Sequence, residues 1–146
     1  MVAHVVSETI FMQDQSIIKR TVLVVEDDAH IGVVLKIMLE RHGFYAILIT
    51  DGDAARNLID TKTQPPSLVL LDIQMPYADG YETIRRIRSR EGWRSVPVVM
   101  LSARNSEKDV ERAFELGAND YITKPFCPIE LIARIRRLVK KEAEVA

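Results

Sequence analysis

The sequence predicts a three-layer α/β domain, a parallel sheet between two layers of helix, and three observations predict it. Five short runs rich in β-branched or aliphatic residues alternate with segments of helical period. The runs are apolar on both faces, as strands covered on both sides must be. Strict strand–helix alternation calls for right-handed crossovers, which leave the strands parallel and the helices on both faces. The length agrees, since 146 residues suffice for one domain and are too few for two ordinary ones.

Taken in order, the first predicted strand is 21–25, followed by Asp28 as a helix cap and by Ile31, Val34, Leu35, Met38 and Leu39 at the spacing of one buried helical face. Gly43 ends that helix, where a left-handed residue stops it cheaply. The second strand is 44–49; Asp51 caps a shorter helix carrying Ala54, Ala55, Leu58 and Ile59. After the Thr61–Pro66 loop comes a third strand, 67–71, then Asp79 as the cap of a helix with Tyr81, Ile84 and Ile87 inward. A fourth strand, 96–101, leads to a helix capped by Asn105 or Ser106, with Val110, Ala113 and Phe114 inward, Ala118 just beyond and Gly117 at its end. The fifth strand, 120–123, precedes a last helix with Pro128 in its first turn and Leu131, Ile132, Ile135, Leu138 and Val139 on one face. Residues 1–19 stand outside this alternation and read as a flexible or weakly docked extension; 20–141 form the domain and 142–146 a tail or truncated linker.

Composition narrows the function. Twenty Lys+Arg against 21 Asp+Glu give a formal charge of −1, so no general field favours nucleic acid or an anionic membrane. The longest apolar stretches run about six residues, far short of the ~20 that span a bilayer. The single cysteine, Cys127, has no intrachain partner, and the first residues lack the pattern of a secretory signal, which points to a reducing, cytoplasmic setting.

The chemistry gathers where such sheets bind ligands, outside the carboxyl ends of the strands. Glu26, Asp27 and Asp28 follow the first strand, and Asp72 follows the third. One acid at a strand end is an ordinary helix cap, and Asp28 reads as one. Converging carboxylates repel, raising a pKa or requiring a cation, and hard oxygen donors in a wet cleft suit Mg²⁺. Ser102 ends the fourth strand and Lys124 the fifth. A carboxylate nucleophile, a metal, a hydroxyl and an ammonium are the parts that hold a phosphoryl group, whose transfer is mostly positioning and charge stabilisation.

Four motifs, in order, carry a resemblance: Val24-Val25-Glu26-Asp27-Asp28; Leu71-Asp72-Ile73-Gln74-Met75-Pro76 with Asp79-Gly80; Leu101-Ser102-Ala103; and the run from Gly117 through Asp120-Tyr121-Ile122-Thr123-Lys124-Pro125 to Phe126. Over about residues 20 to 141 the chain resembles the receiver domain of bacterial two-component response regulators. The resemblance implies a flavodoxin-like (βα)5 fold with strand order 2-1-3-4-5, an order that comes from the family and not from spacing.

By the same resemblance, Asp72 is the phosphoacceptor, fed by a histidine kinase, a phosphotransfer protein or a small acyl phosphate. Asp27 and Asp72 would ligate Mg²⁺ (or Mn²⁺) directly, Glu26 through water, and Gln74 through its backbone carbonyl. Lys124 would pair with the phosphoryl oxygens, aimed by a cis bond before Pro125. Ser102 would turn towards those oxygens and Tyr121 would rotate into the space it leaves, altering the surface of the fourth helix, fifth strand and fifth helix. Gln74 and Arg104 occupy places that tune the aspartyl-phosphate lifetime. Asp120, Glu130 and Arg134, with Lys108, Arg112 and Lys141 nearby, resemble a homodimer face, although Val110 stands where a basic residue is common; ordinary solvated helix charges are the alternative.

The chain is expected to act as a signalling domain whose only chemistry is its own phosphorylation and dephosphorylation, working on an output domain or effector without touching nucleic acid or membrane. It would be a stand-alone receiver or a piece of a longer regulator. A haloacid-dehalogenase-type phosphatase needs a second acid where Gln74 stands. No glycine-rich phosphate loop occurs, and His4, His30 and His42 lie away from the acidic edge. The alternative from another class is a phosphorylation-independent adaptor. Cys127 stands where a better cap is expected and reads as a structural cysteine.

Overall fold

The computed structural model describes residues 20–62, 64–75 and 79–145, with side chains up to Val139. The expected extension 1–19, Pro76 of the second motif, the Lys141 side chain and the tail side chains lie outside the described residues. Strands β1 (Thr21–Val25), β2 (Tyr45–Ile49), β3 (Leu68–Leu71), β4 (Val98–Ser102) and β5 (Asp120–Thr123) form one sheet in the order β2-β1-β3-β4-β5. Every neighbouring pair is parallel. Helices α1 (Ala29–Arg41), α2 (Gly52–Thr61), α3 (Gly80–Ser89), α4 (Glu107–Glu115) and α5 (Pro128–Val145) join and follow the strands.

The period of two along the strands divides the interior into two cores. Leu23, Val25, Val69, Leu71, Val98 and Met100 pack with Ala55 and Ile59 of α2, Tyr81, Ile84 and Ile87 of α3, and Ala113 of α4. Val22, Val24, Leu68, Leu70, Val99, Leu101 and Ile122 pack with Leu35 and Leu39 of α1 and Leu131, Ile132, Ile135 and Val139 of α5. This is the predicted three-layer class with the predicted strand order.

Helix starts follow from the sequence. Asp28 accepts from the amides of His30 (2.9 Å) and Ile31 (3.2 Å), Asp51 from Ala54 (2.7 Å), and Asp79 from Glu82 (2.7 Å). Ser106, not Asn105, caps α4 by accepting from Asp109 N at 3.1 Å. Gly43 and Gly117 take φ of 88° and 110° after α1 and α4, the left-handed conformation that favours glycine. At Gly117 a side chain would also meet Arg88, with Nε 2.8 Å from a built Cβ. Arg88 donates there to Gly117 O (2.6 Å), and to Val96 O (2.6 Å), Arg94 O (2.9 Å) and Asn119 Oδ1 (2.9 Å), fastening the end of α3 to the segment before β5.

Three predicted burials are corrected. Val34 is half exposed, because α1 lies on β2 through Gly32, where a Cβ would sit 2.8 Å from Leu48 Cδ1. That contact rotates the inward stripe to Gly32, Leu35 and Leu39, and turns Val34 away. Phe114 is 45% exposed because α4 buries only Ala113. Cys127 is an exposed free thiol and does not pack as a structural cysteine. The fourth strand starts at Val98 and extends to Ser102, two residues later than expected at its start; Pro97 has no amide to give the ladder and joins it only by accepting from Val69 N at 2.9 Å.

Candidate functional site

Register builds the site. Val25 pairs with Leu71, so the next residues, Glu26 and Asp72, leave the sheet side by side. Asp72 N donates to Val25 O at 3.1 Å and Glu26 N to Ile49 O at 3.0 Å, carrying the ladder one step past the strands. Glu26, Asp27 and Asp72 each bring a carboxylate oxygen within 4.8 Å of the others. Glu26 and Asp72 are buried and Asp27 is exposed, so the cluster has a wet side and a dry floor. Gly80 lets α3 close beneath it: its amide donates to Ile73 O at 2.9 Å, and a Cβ there would stand 2.6 Å from Asp72 O.

Lys124 arrives from the other side of the sheet. Ser102 pairs with Thr123, and Lys124 N donates to Ser102 O at 2.9 Å, which sets Lys124 one step beyond β5. The Lys124–Pro125 bond is cis. The Lys124 Nζ donates to Glu26 Oε1 at 2.5 Å and to Asp72 Oδ2 at 3.1 Å. Glu26 Oε2 accepts from Asp28 N at 3.2 Å, and Asp72 Oδ1 from Gln74 N at 3.0 Å.

Electrostatics follow from these contacts. Burial pushes the Glu26 carboxyl up to about 7, with the Asp72 charge adding to it and the Lys124 and Asp28 hydrogen bonds pulling back. Burial by itself would lower the Lys124 ammonium, but Glu26 and Asp72 outweigh it and hold its pKa above the ordinary value. One ammonium among three carboxylates leaves the cluster negative. An all-oxygen donor set, partly wet and short of positive charge, fits a hard divalent cation and not a soft one.

The remaining predicted residues fall into two places. The Ser102 side chain is buried and its Oγ accepts from Arg104 N at 3.1 Å, while Tyr121 Oη donates to Arg104 O at 2.6 Å. The backbone of Arg104 thus joins the predicted hydroxyl, through its amide, to the predicted aromatic, through its carbonyl. Asp120, Glu130 and Arg134 lie away from the acids: Arg134 clamps buried Asp120 at 2.8 and 2.9 Å and reaches Glu130 at 2.8 Å, with Arg137 3.6 Å from Asp120.

Sequence reasoning missed Tyr81, taken as an apolar core residue. Its hydroxyl donates to Asp109 Oδ1 at 2.9 Å, and the Arg112 guanidinium stands 4.3 Å over its ring. Burial, with Asp109 beside it, pushes the Tyr81 phenol up to about 12. The available signal was the residue type: a buried tyrosine needs a partner for its hydroxyl, and Asp109 carries the right charge in the next helix.

Residues 22–136 match the model of the response regulator receiver domain. The phosphate regulon transcriptional regulatory protein PhoB of Escherichia coli is 41% identical over 127 residues, 87% of this chain and 55% of PhoB. The chain therefore spans about half the length of the curated relatives it matches. Among solved structures, the receiver domain of Francisella response regulator 1452 is similar at 33% identity and a TM-score of 0.77, covering 84% of this chain and 98% of that one. The receiver domain of sensor histidine kinase PA1611 from Pseudomonas aeruginosa, solved with a magnesium ion coordinated in its active-site cleft, is 32% identical with a TM-score of 0.75, covering 83% and 98%. With its sheet order, its acid cluster and these matches together, the chain belongs to the response regulator receiver domain family.

Proposed function

We propose that Asp72 accepts a phosphoryl group in a two-component phosphorelay and that the acceptance changes the surface of α4, β5 and α5. The observation that carries this reading is the meeting of Glu26, Asp27, Asp72 and the Lys124 ammonium at one sheet edge. Asp27, Asp72 and the Gln74 carbonyl would hold Mg²⁺ or Mn²⁺, and Glu26 would hold one of its waters. Bound there, the ion supplies positive charge that offsets the acids and the incoming phosphoryl oxygens.

The chain's own residues do the rest. Asp72 Oδ2 faces Lys124 and is the oxygen whose charge the ammonium screens as a phosphoryl group approaches. Lys124 then follows the new charge, since a phosphoryl group adds about −1.5 to −2 and three strong acceptors. Ser102 Oγ, now held by Arg104 N, turns to donate to those acceptors, and Arg104 N loses its partner. The Tyr121 hydroxyl donates to the carbonyl of the same residue, so the aromatic is released inward as the segment before α4 shifts. The equilibrium is two-state, biased by contacts made only with the phosphoryl group. Gln74 and Arg104 flank the acceptor and set how long the acyl phosphate survives.

The donor is a histidine kinase or phosphotransfer protein, the recipient of the signal an output domain or effector, and the setting the cytoplasm. Among the described residues no helix is long and apolar enough to cross a membrane. The domain turns over only its own phosphoryl group. Asp120, Glu130 and Arg134 would form part of a homodimer face. Incubation with acetyl phosphate and Mg²⁺ is expected to add one phosphoryl group by intact mass, lost in Asp72→Asn; no gain with any donor would favour a phosphorylation-independent adaptor.

A further inference from the structure

Phosphoryl acceptance leaves one group of side chains unused, where α3 meets α4. Tyr81 Oη donates to Asp109 Oδ1 at 2.9 Å, and Ser106 Oγ donates to the other oxygen, Oδ2, at 2.7 Å. Asp109 N returns a hydrogen bond to Ser106 Oγ at 3.1 Å, so cap and carboxylate are fastened to each other. The Arg104 guanidinium stands 3.7 Å from Asp109 Oδ1. One carboxylate thus touches α3, the α4 cap and the residue whose backbone holds both Ser102 and Tyr121.

The two ends of the Tyr81–Asp109 tie differ in their freedom to move. Tyr81 is 3% exposed and lies in the first core with Leu71 and Met100, and Gly80 before it rests on the Asp72 backbone. α4 buries only Ala113, and its cap, Ser106, closely follows Arg104 in the chain. When Ser102 turns away and Arg104 loses its two backbone partners, Ser106 and Asp109 are carried with that segment while Tyr81 stays. A hydrogen bond tolerates little lengthening, so a displacement of about 1 Å at Asp109 breaks this one.

We propose that Tyr81 and Asp109 are positioning residues that hold the receiver in its unphosphorylated arrangement, by a tie made in that arrangement alone, so that its strength sets how readily the domain switches; this rests on Asp72 being the acceptor. Neither residue touches the phosphoryl group. Their effect is on the balance between two arrangements, of which the one described, with Ser102 held by Arg104 N, is the populated one at rest. A contact present in only that arrangement lowers the apparent affinity for anything that favours the other, and removing the contact raises it.

The test uses the purified chain with Mg²⁺ and beryllium trifluoride, which takes the place of a phosphoryl group on a carboxylate, with affinity read by fluorine NMR titration. Tyr81→Phe keeps the ring, its packing and the Arg112 guanidinium 4.3 Å over it, and removes only the hydroxyl. It is expected to bind beryllium trifluoride about fivefold more tightly, with Mg²⁺ affinity in the absence of beryllium trifluoride within about twofold of the unaltered chain. Asp109→Ala is expected to tighten binding as well, and the double variant by less than the two gains multiplied, because both remove the same tie. Unchanged or weaker affinity in Tyr81→Phe would make the tie a structural one common to both arrangements, and gains that multiply would mean that the two residues act apart; either overturns the proposal. If the unaltered chain takes up Mg²⁺ but no beryllium trifluoride, the acceptor reading itself fails, and the positioning role falls with it.

Discussion

Glu26 shows what the fold does to a single residue. It is 2% exposed, and its carboxyl holds a proton up to about 7 where 4.5 is usual. A folded pKa raised above the unfolded one means the folded chain binds more protons across that window, so stability falls as pH rises through it. The metal-free chain is therefore expected to lose melting temperature between pH 4.5 and about 7, and Glu26→Gln to flatten that decline. A profile that rises over the window in the unaltered chain would contradict the assignment. At this scale the sequence was informative where a motif fixed a position: the strand-end acids and Lys124 could be placed because each directly follows an apolar run. Tyr81 was legible only through its residue type, because an apolar period records that a ring points inward and says nothing of what its hydroxyl meets.

At the scale of elements, α3 and α4 differ in how they are held. α3 buries Tyr81, Ile84 and Ile87, and its first residue, Gly80, sits against the Asp72 backbone. Gly80→Ala puts a methyl group 2.6 Å from Asp72 O and 2.7 Å from Ile73 Cα, neither of which is a flexible side chain. It is expected to lower stability by about 1–3 kcal/mol in urea titration. An unchanged midpoint would show that α3 can back away. α4 buries only Ala113 and leans instead on polar ties, chiefly Tyr81 to Asp109. Tyr81→Phe keeps the ring and is expected to remove about 1 kcal/mol, with faster amide exchange confined to α4; protection unchanged there would mean the tie is idle. Helical period located both helices, but it could not foresee Phe114 or Val34 outside the core. The inward direction of a short stripe depends on the neighbour it lies on, as Gly32 on Leu48 shows.

For the whole molecule, alternation and both-face burial were enough to read three layers, whereas strand order came from the likeness of the motifs to a family. The reason is physical: each strand's apolar pattern suits any interior position, and pairing of β1 with both β2 and β3 is decided by crossovers that no local pattern records. That order makes the site, since it sets residues 26, 72 and 124 together although they are far apart in the chain. The charged group on β5 and α5 was likewise nameable from sequence, but the closed Arg134–Asp120–Glu130 pairing within one chain was not. The most direct measurement traps the acyl phosphate with borohydride after treatment with acetyl phosphate and Mg²⁺, then maps the peptides. Homoserine at position 72 in the folded chain, and none in chain unfolded by urea, is the predicted result; label at another carboxylate, or labelling that survives unfolding, would contradict it.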